Sequence, residues 1–208
     1  MRSLIFLLLL SFNATAALYD RGNGLIYDNV LDITWLQDAN YAQTSGYDAD
    51  GRMDWDASIT WAKHLEYGGY DDWRLPSAGN PPPPSFFPMP LSTGEMGHMF
   101  YNNLGNAAGF SIQNNVSFTN ATYGGGAESF VNAQNSPYWL DEEYGLYEQI
   151  NTSYVFQTQS GSYMFYPKHY NLYSWPVHDG DIGASAVPLP ASFWLFASGL
   201  ISLRLFKR

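Results

Sequence analysis

The chain has no cysteine in its 208 residues. That excludes disulfide staples, thiolate metal sites and cysteine nucleophiles at one stroke. Bases are scarce too. Between Asp20 and Asp181 only Arg21, Arg52, Lys63, Arg74 and Lys168 oppose 19 acids, a net of −14. A body of that sign repels phosphate backbones and anionic lipid surfaces, so nucleic acid is excluded as a partner. Neutral glycans, cations and other proteins remain. There is no fixed-period repeat, heptad pattern, P-loop, dinucleotide fingerprint or G-x-S-x-G elbow. The histidines, His64, His98, His169 and His178, include no pair at the four-residue spacing of a helical metal site.

What is abundant is aromatic: 16 Tyr, 13 Phe and 7 Trp. In a domain without disulfides these rings are core material, because each buries a large apolar area. An exposed indole can instead stack on a sugar ring. Trp35, Trp55, Trp61, Trp73, Trp139 and Trp175 are read chiefly as core, Trp73 most firmly, with glycan stacking as the alternative. The length suits one domain with a real core.

Both ends carry address-like segments. Arg2, the apolar run Leu4 to Leu10 and Ala14-Thr15-Ala16 have the order of a signal peptide cut near residue 17. At the other end, Val187-Pro188-Leu189-Pro190-Ala191 precedes an apolar segment that finishes in Arg204, Lys207 and Arg208. Ala191–Leu203 is 13 residues, about 20 Å of helix against a hydrocarbon layer of about 30 Å. The span is marginal, and the terminal bases orient it with the body outside. Temporary retention at the inner membrane followed by transfer fits this better than a permanent anchor. The expected divisions are 1–17 leader, 18–185 domain and 186–208 tail.

Along the body, Leu25–Asp28 and Ile33–Gln37 read as a hairpin turning near Asn29. A helix follows, capped by Asp54 or Asp56, with Trp61 and Leu65 on one face and Gly68-Gly69 as its stop. Residues 71–76 read as a short strand ended by Pro76. Pro81–Pro84, Pro88 and Pro90 favour an extended surface loop. Met96, Met99, Phe100 and Leu104 mark a second helix. Short strand-like pieces fill 110–140, Tyr154–Thr158 and Tyr163–Tyr166 form a hairpin through Ser160-Gly161, and a last strand lies near 172–181. Two helices and many short strands predict an α+β fold.

For chemistry, Asp48, Asp50, Asp54 and Asp56 form the densest oxygen cluster. Calcium is the candidate cofactor there, since it takes several carboxylate ligands. A polar turn plus helix cap is the simpler and favoured reading. Asp141-Glu142-Glu143 is a second acidic group, and His178 to Asp181 could hold a metal or simply end a strand. With 19 acids no carboxylate pair stands out for glycoside hydrolysis. Asn115, Asn120 and Asn151 open N-x-S/T triplets, the pattern of an N-glycosylation acceptor.

The ordered pieces "GLIYDNVLDITWLQD", "GGYDDWRLP", "SPYWLDEEY" and "LYSWPVHDGD" resemble the Lcl C-terminal-like domain family over residues 24–181. That resemblance implies a C-type-lectin-like single domain with two helices and short antiparallel strands. It also implies polysaccharide binding in some relatives, with Trp73, Arg74, Trp139 and Trp175 as family-motif and ligand-face candidates. The acidic surface argues against a sulfated ligand. The tail resembles the PEP-CTERM sorting signal of Gram-negative bacteria in its "VPLPA" variant, with Leu189 where that signal usually has Glu. This implies an exosortase-type processing enzyme as partner, transient inner-membrane residence and a final place at the cell surface or in the matrix. The leading expectation is a non-enzymatic exported protein that binds exopolysaccharide. A protein-binding adhesive module permanently anchored by its tail is the alternative. An enzyme of the formylglycine-generating type, which shares a related fold, is disfavoured because those enzymes use a cysteine pair.

Overall fold

The computed structural model describes residues 18–79, 93–112, 117–119, 127–144 and 151–183. The segments read from the sequence as leader and sorting tail, the proline run, Asn115 and Asn120 lie outside the described residues. Among the described residues no helix is long and apolar enough to cross a membrane.

Two antiparallel-dominated sheets carry the fold. The first orders β1 (Leu18–Gly22), β2 (Leu25–Asp28), β3 (Ile33–Leu36) and, beside β3, the distant β11 (Val177–Asp179). The expected hairpin is the β2–β3 pair, in register Leu25 to Leu36 and Asp28 to Ile33. Its turn closes on Asp28, whose Oδ1 accepts the backbone N–H groups of Val30 and Leu31 at 2.9 and 3.2 Å. All four β3 residues are buried, as expected for an interior strand covered on both faces.

The second sheet runs β4 (Arg52–Met53), β10 (Leu172–Tyr173), β7 (Pro137–Glu143), β8 (Thr152–Gln157) and β9 (Ser162–Pro167). The β8–β9 ladder is the second expected hairpin. Only β10 and β7 pair in parallel, through Tyr173 and Tyr138. Strands β5 (Ser117–Thr119) and β6 (Ala127–Ser129) make a separate antiparallel pair. The single final strand expected at 172–181 is two strands, one in each sheet. Ser174, Trp175 and Pro176 lie between them, so this stretch joins the sheets at the core.

Helices are few and short. α1 is Tyr41–Thr44, α2 is Trp55–Lys63, and α3 is Glu95–His98, which runs on into a π-helical turn, Met99–Asn103. In α2, Trp55, Ser58, Trp61 and Ala62 form the buried stripe. Asp54 is its cap, accepting from the Ala57 N–H at 2.8 Å, with Asp56 in the first turn and Lys63 in the last. Asp54→Ala is expected to lower the unfolding free energy by about 1 kcal/mol. Urea melts of the two proteins at equal ionic strength would measure this, and overlapping curves would refute the cap's contribution.

Two boundaries differ from expectation. α2 stops at His64, and Gly68 and Gly69 instead take positive φ inside the tight turn that pairs Tyr67 with Tyr70. The strand expected at 71–76 is a single bridge between Arg74 and Val177, made by two 2.9 Å backbone hydrogen bonds. Asp72 lies in the left-handed region just before it, at φ 60°, which breaks the extended run.

The π-helical turn has a visible consequence. It brings the Asn103 amide to the buried Asp28, donating to Oδ2 at 2.5 Å. The second helix thereby fastens onto the first hairpin's turn.

The core holds six tryptophans: Trp35, Trp55, Trp61, Trp73, Trp139 and Trp175 are all buried. Trp35, Phe130 and Tyr138 surround Trp175 with ring centroids 5.0–5.8 Å away. The indole N–H groups of Trp55, Trp139 and Trp175 donate to the carbonyls of Leu140, Met53 and Leu36 at 2.8, 2.9 and 2.7 Å. Each bond crosses between segments distant in sequence.

Candidate functional site

The acids named from the sequence serve local structure. Asp48 Oδ1 accepts from the N–H groups of Asp50 and Gly51 at 3.0 and 2.8 Å. Asp50 accepts from the Arg52 N–H at 3.0 Å and pairs with its guanidinium at 2.5 Å. The hydrogen bonds from Arg52 hold the Asp50 carboxyl below the usual carboxylate range. Asp54 and Asp56 belong to the start of α2. Gly51 sits at φ 78° with the Asn40 side chain so close that a Cβ would overlap it, so this corner needs glycine. The four acids are thus divided between a turn and a helix start. Among the described residues no three His, Asp or Glu side chains converge as a metal site.

The other acidic groups are also dispersed. Glu142 accepts from the Ser77 hydroxyl and the Ala78 N–H, while Glu143 pairs with the buried Lys168 at 2.6 Å. Asp179 binds Arg74 and Asp181 binds Arg21. His178 lies against the edges of Tyr70 and Trp73.

Trp73, Trp139 and Trp175 are 1 %, 0 % and 0 % exposed. They are core residues, the reading favoured from the sequence, and offer no ligand face, which corrects the ligand-face candidacy that the family resemblance implied for them. Arg74 is a clamp. Its guanidinium spans Glu95 at 2.7 Å and Asp179 at 2.6 Å, tying α3 to β11. Burial works against its charge, but the hydrogen bonds and charges of Glu95 and Asp179 prevail and raise its pKa.

A cleft of about 500 Å³ lies where none of these residues sits, between the end of α1 and the last turn of α2. Tyr41 on α1 and the loop Ser45-Gly46-Tyr47 form one wall. Thr60, Trp61 and His64 of α2, followed by Leu65 and Glu66, form the other. Gly46 takes φ 76°, turning the chain out of α1. Tyr47, next in line, is 58 % exposed and stands over the edge of the buried Trp61, centroids 6.0 Å apart and planes at 40°. An exposed tyrosine braced by a buried indole is an apolar platform, and Ser45, Thr60, His64 and Glu66 place polar groups around it.

Only Trp61 of this cleft was singled out from the sequence as a possible stacking residue, and its ring is only 4 % exposed. Tyr47 lies in a polar loop without periodicity and has no signal in the sequence that marks it. The one usable signal was the four-residue spacing of Thr60 and His64, which puts both on one helical face.

No family model, curated protein or solved structure matches the chain.

Proposed function

We propose that the chain is an exported, non-enzymatic protein of the bacterial cell surface or matrix, and that it binds polysaccharide through the Tyr47 cleft. The observation that carries this reading is the braced, exposed Tyr47 ring beside hydroxyl, imidazole and carboxylate groups in an opening of about 500 Å³. A pyranose needs an apolar platform for its C–H face and polar partners for its hydroxyls, and both are present. The resemblance to the Lcl C-terminal-like family, with the C-type-lectin-like fold it implies, points the same way. An α+β chain with short helices and antiparallel sheets is compatible with that fold. The leader and the "VPLPA" tail direct the protein through the inner membrane to an exosortase-type enzyme and then outward.

The test is retention of the full-length chain on its host's own exopolysaccharide, beside Tyr47→Ala. The native protein is expected to be retained, and the variant to lose about tenfold in affinity, the scale of one aromatic–sugar stack. Its melting temperature should not change, because Tyr47 lies largely outside the core. Equal retention of both proteins would remove the cleft from the reading, and no retention of either would remove polysaccharide binding.

A further inference from the structure

Three polar side chains of the cleft, Ser45, Thr60 and His64, have protons that are already committed. The Ser45 hydroxyl donates to the Ala42 carbonyl at 3.3 Å, and the Thr60 hydroxyl donates to the Asp56 carbonyl at 2.8 Å. His64 Nδ1 lies 2.8 Å from the Thr60 carbonyl. A carbonyl only accepts, so Nδ1 carries the proton, and in the neutral ring Nε2 is left as a lone pair. Glu66, the one carboxylate of the lining, accepts only. Ser45, Thr60, His64 and Glu66 therefore all present acceptors, and the side-chain donors that remain are the hydroxyls of Tyr41 and Tyr47 and the indole N–H of Trp61. Among the described residues no Lys or Arg lines the cleft, and Lys63, the nearest base in sequence, is outside it.

An acceptor-lined, negatively charged opening selects its ligand by proton count. Sulfate and uronate groups bring only acceptors and a like charge. An N-acetyl group brings one N–H, one carbonyl and no charge. A free amine on the sugar brings three N–H donors, a positive charge and no acceptor. We propose that the cleft takes a hexosamine unit with its amine free, seated on Tyr47 with its ammonium toward Glu66. This rests on the polysaccharide reading and names the class of sugar.

Titration calorimetry of the full-length chain with two β-1,4-glucosamine tetramers, one fully deacetylated and one fully N-acetylated, tests it. Tetralysine serves as a sugar-free polycation. The deacetylated tetramer should bind about tenfold more tightly than the acetylated one, the weight of one charge-assisted hydrogen bond. Glu66→Gln should erase that preference. Asp71→Asn makes the same charge change at an exposed position outside the cleft, and should leave it intact. Tetralysine should bind weakly and respond equally to both variants. Equal affinity for the two tetramers, both lost in Tyr47→Ala, would overturn the amine preference and leave the polysaccharide reading standing. A preference weakened equally by Glu66→Gln and Asp71→Asn would make it bulk charge attraction and also overturn the proposal. Binding of neither tetramer overturns it as well, and only failed retention on exopolysaccharide would then remove the broader reading.

Discussion

Replacing Trp175 with alanine is expected to lower the unfolding free energy by about 3–5 kcal/mol, the scale of a large aromatic removed from a core. The indole is fully buried between Trp35, Phe130 and Tyr138, and it occupies the link that joins the two sheets. Removing it opens a cavity whose walls belong to both sheets, so neither sheet can close over it alone. Trp175→Phe separates the two contributions. It keeps most of the ring but loses the donor to the Leu36 carbonyl, and should cost about 1–3 kcal/mol. Urea melts followed by circular dichroism give both values. An alanine variant within about 1 kcal/mol of the native protein would contradict the central place of this residue.

Alkaline pH is expected to unfold the chain. Burial raises the phenols of Tyr138 and Tyr163 well above their ordinary range. Tyr27 is pushed up to about 12, by burial first and then by its hydrogen bond to, and the charge of, Asp32. Tyr67, Tyr101 and Tyr154 are raised by burial as well. In the unfolded chain a phenol ionises near pH ~10. Below that pH folded and unfolded tyrosines are both protonated, and the stability is whole. Above it the unfolded chain releases protons that the folded chain keeps, so stability falls as pH rises. The loss begins near pH ~10 and continues through the titration of Tyr27 at about 12. The share of the phenolate absorbance that belongs to the buried tyrosines should then appear in step with the loss of circular dichroism. Absorbance reaching the full amplitude of all 16 tyrosines while the fold persists would show that the buried ones are accessible. Tyr27→Phe should make the decline shallower, since one raised phenol is gone.

Much of the architecture follows from local rules. Short β-prone runs on either side of a polar turn predict the β2–β3 and β8–β9 hairpins, because each ladder joins residues close in sequence. Asp54 before an apolar helical stripe predicts the start of α2, because a carboxylate can satisfy free N–H groups only there. The preference for tryptophan in the core follows from a Cys-free chain that must be stabilised by packing. The misplacements come where distant segments decide. Gly68 and Gly69 have the conformational freedom of a helix stop, yet α2 ends at His64 and they turn the chain between Tyr67 and Tyr70. One apolar stretch at 172–181 is split between two sheets because each half finds a different partner, Met53 and Tyr138 for one and Trp35 for the other.

The candidate site divides in the same way. From the sequence alone come the acidic composition of the body, the α+β class, two hairpins, one capped helix and an aromatic core. These depend on composition and on residues within a few positions of one another. Only the tertiary structure held Arg74 between Glu95 and Asp179, and faced Tyr47 and Ser45 with Thr60, His64 and Glu66 across one cleft. That facing depends on the angle at which the chain leaves α1 at Gly46 and on the seating of α2 by Trp55 and Trp61 against the core. Neither has a periodicity or a motif, because both are set by contacts between segments far apart in the chain.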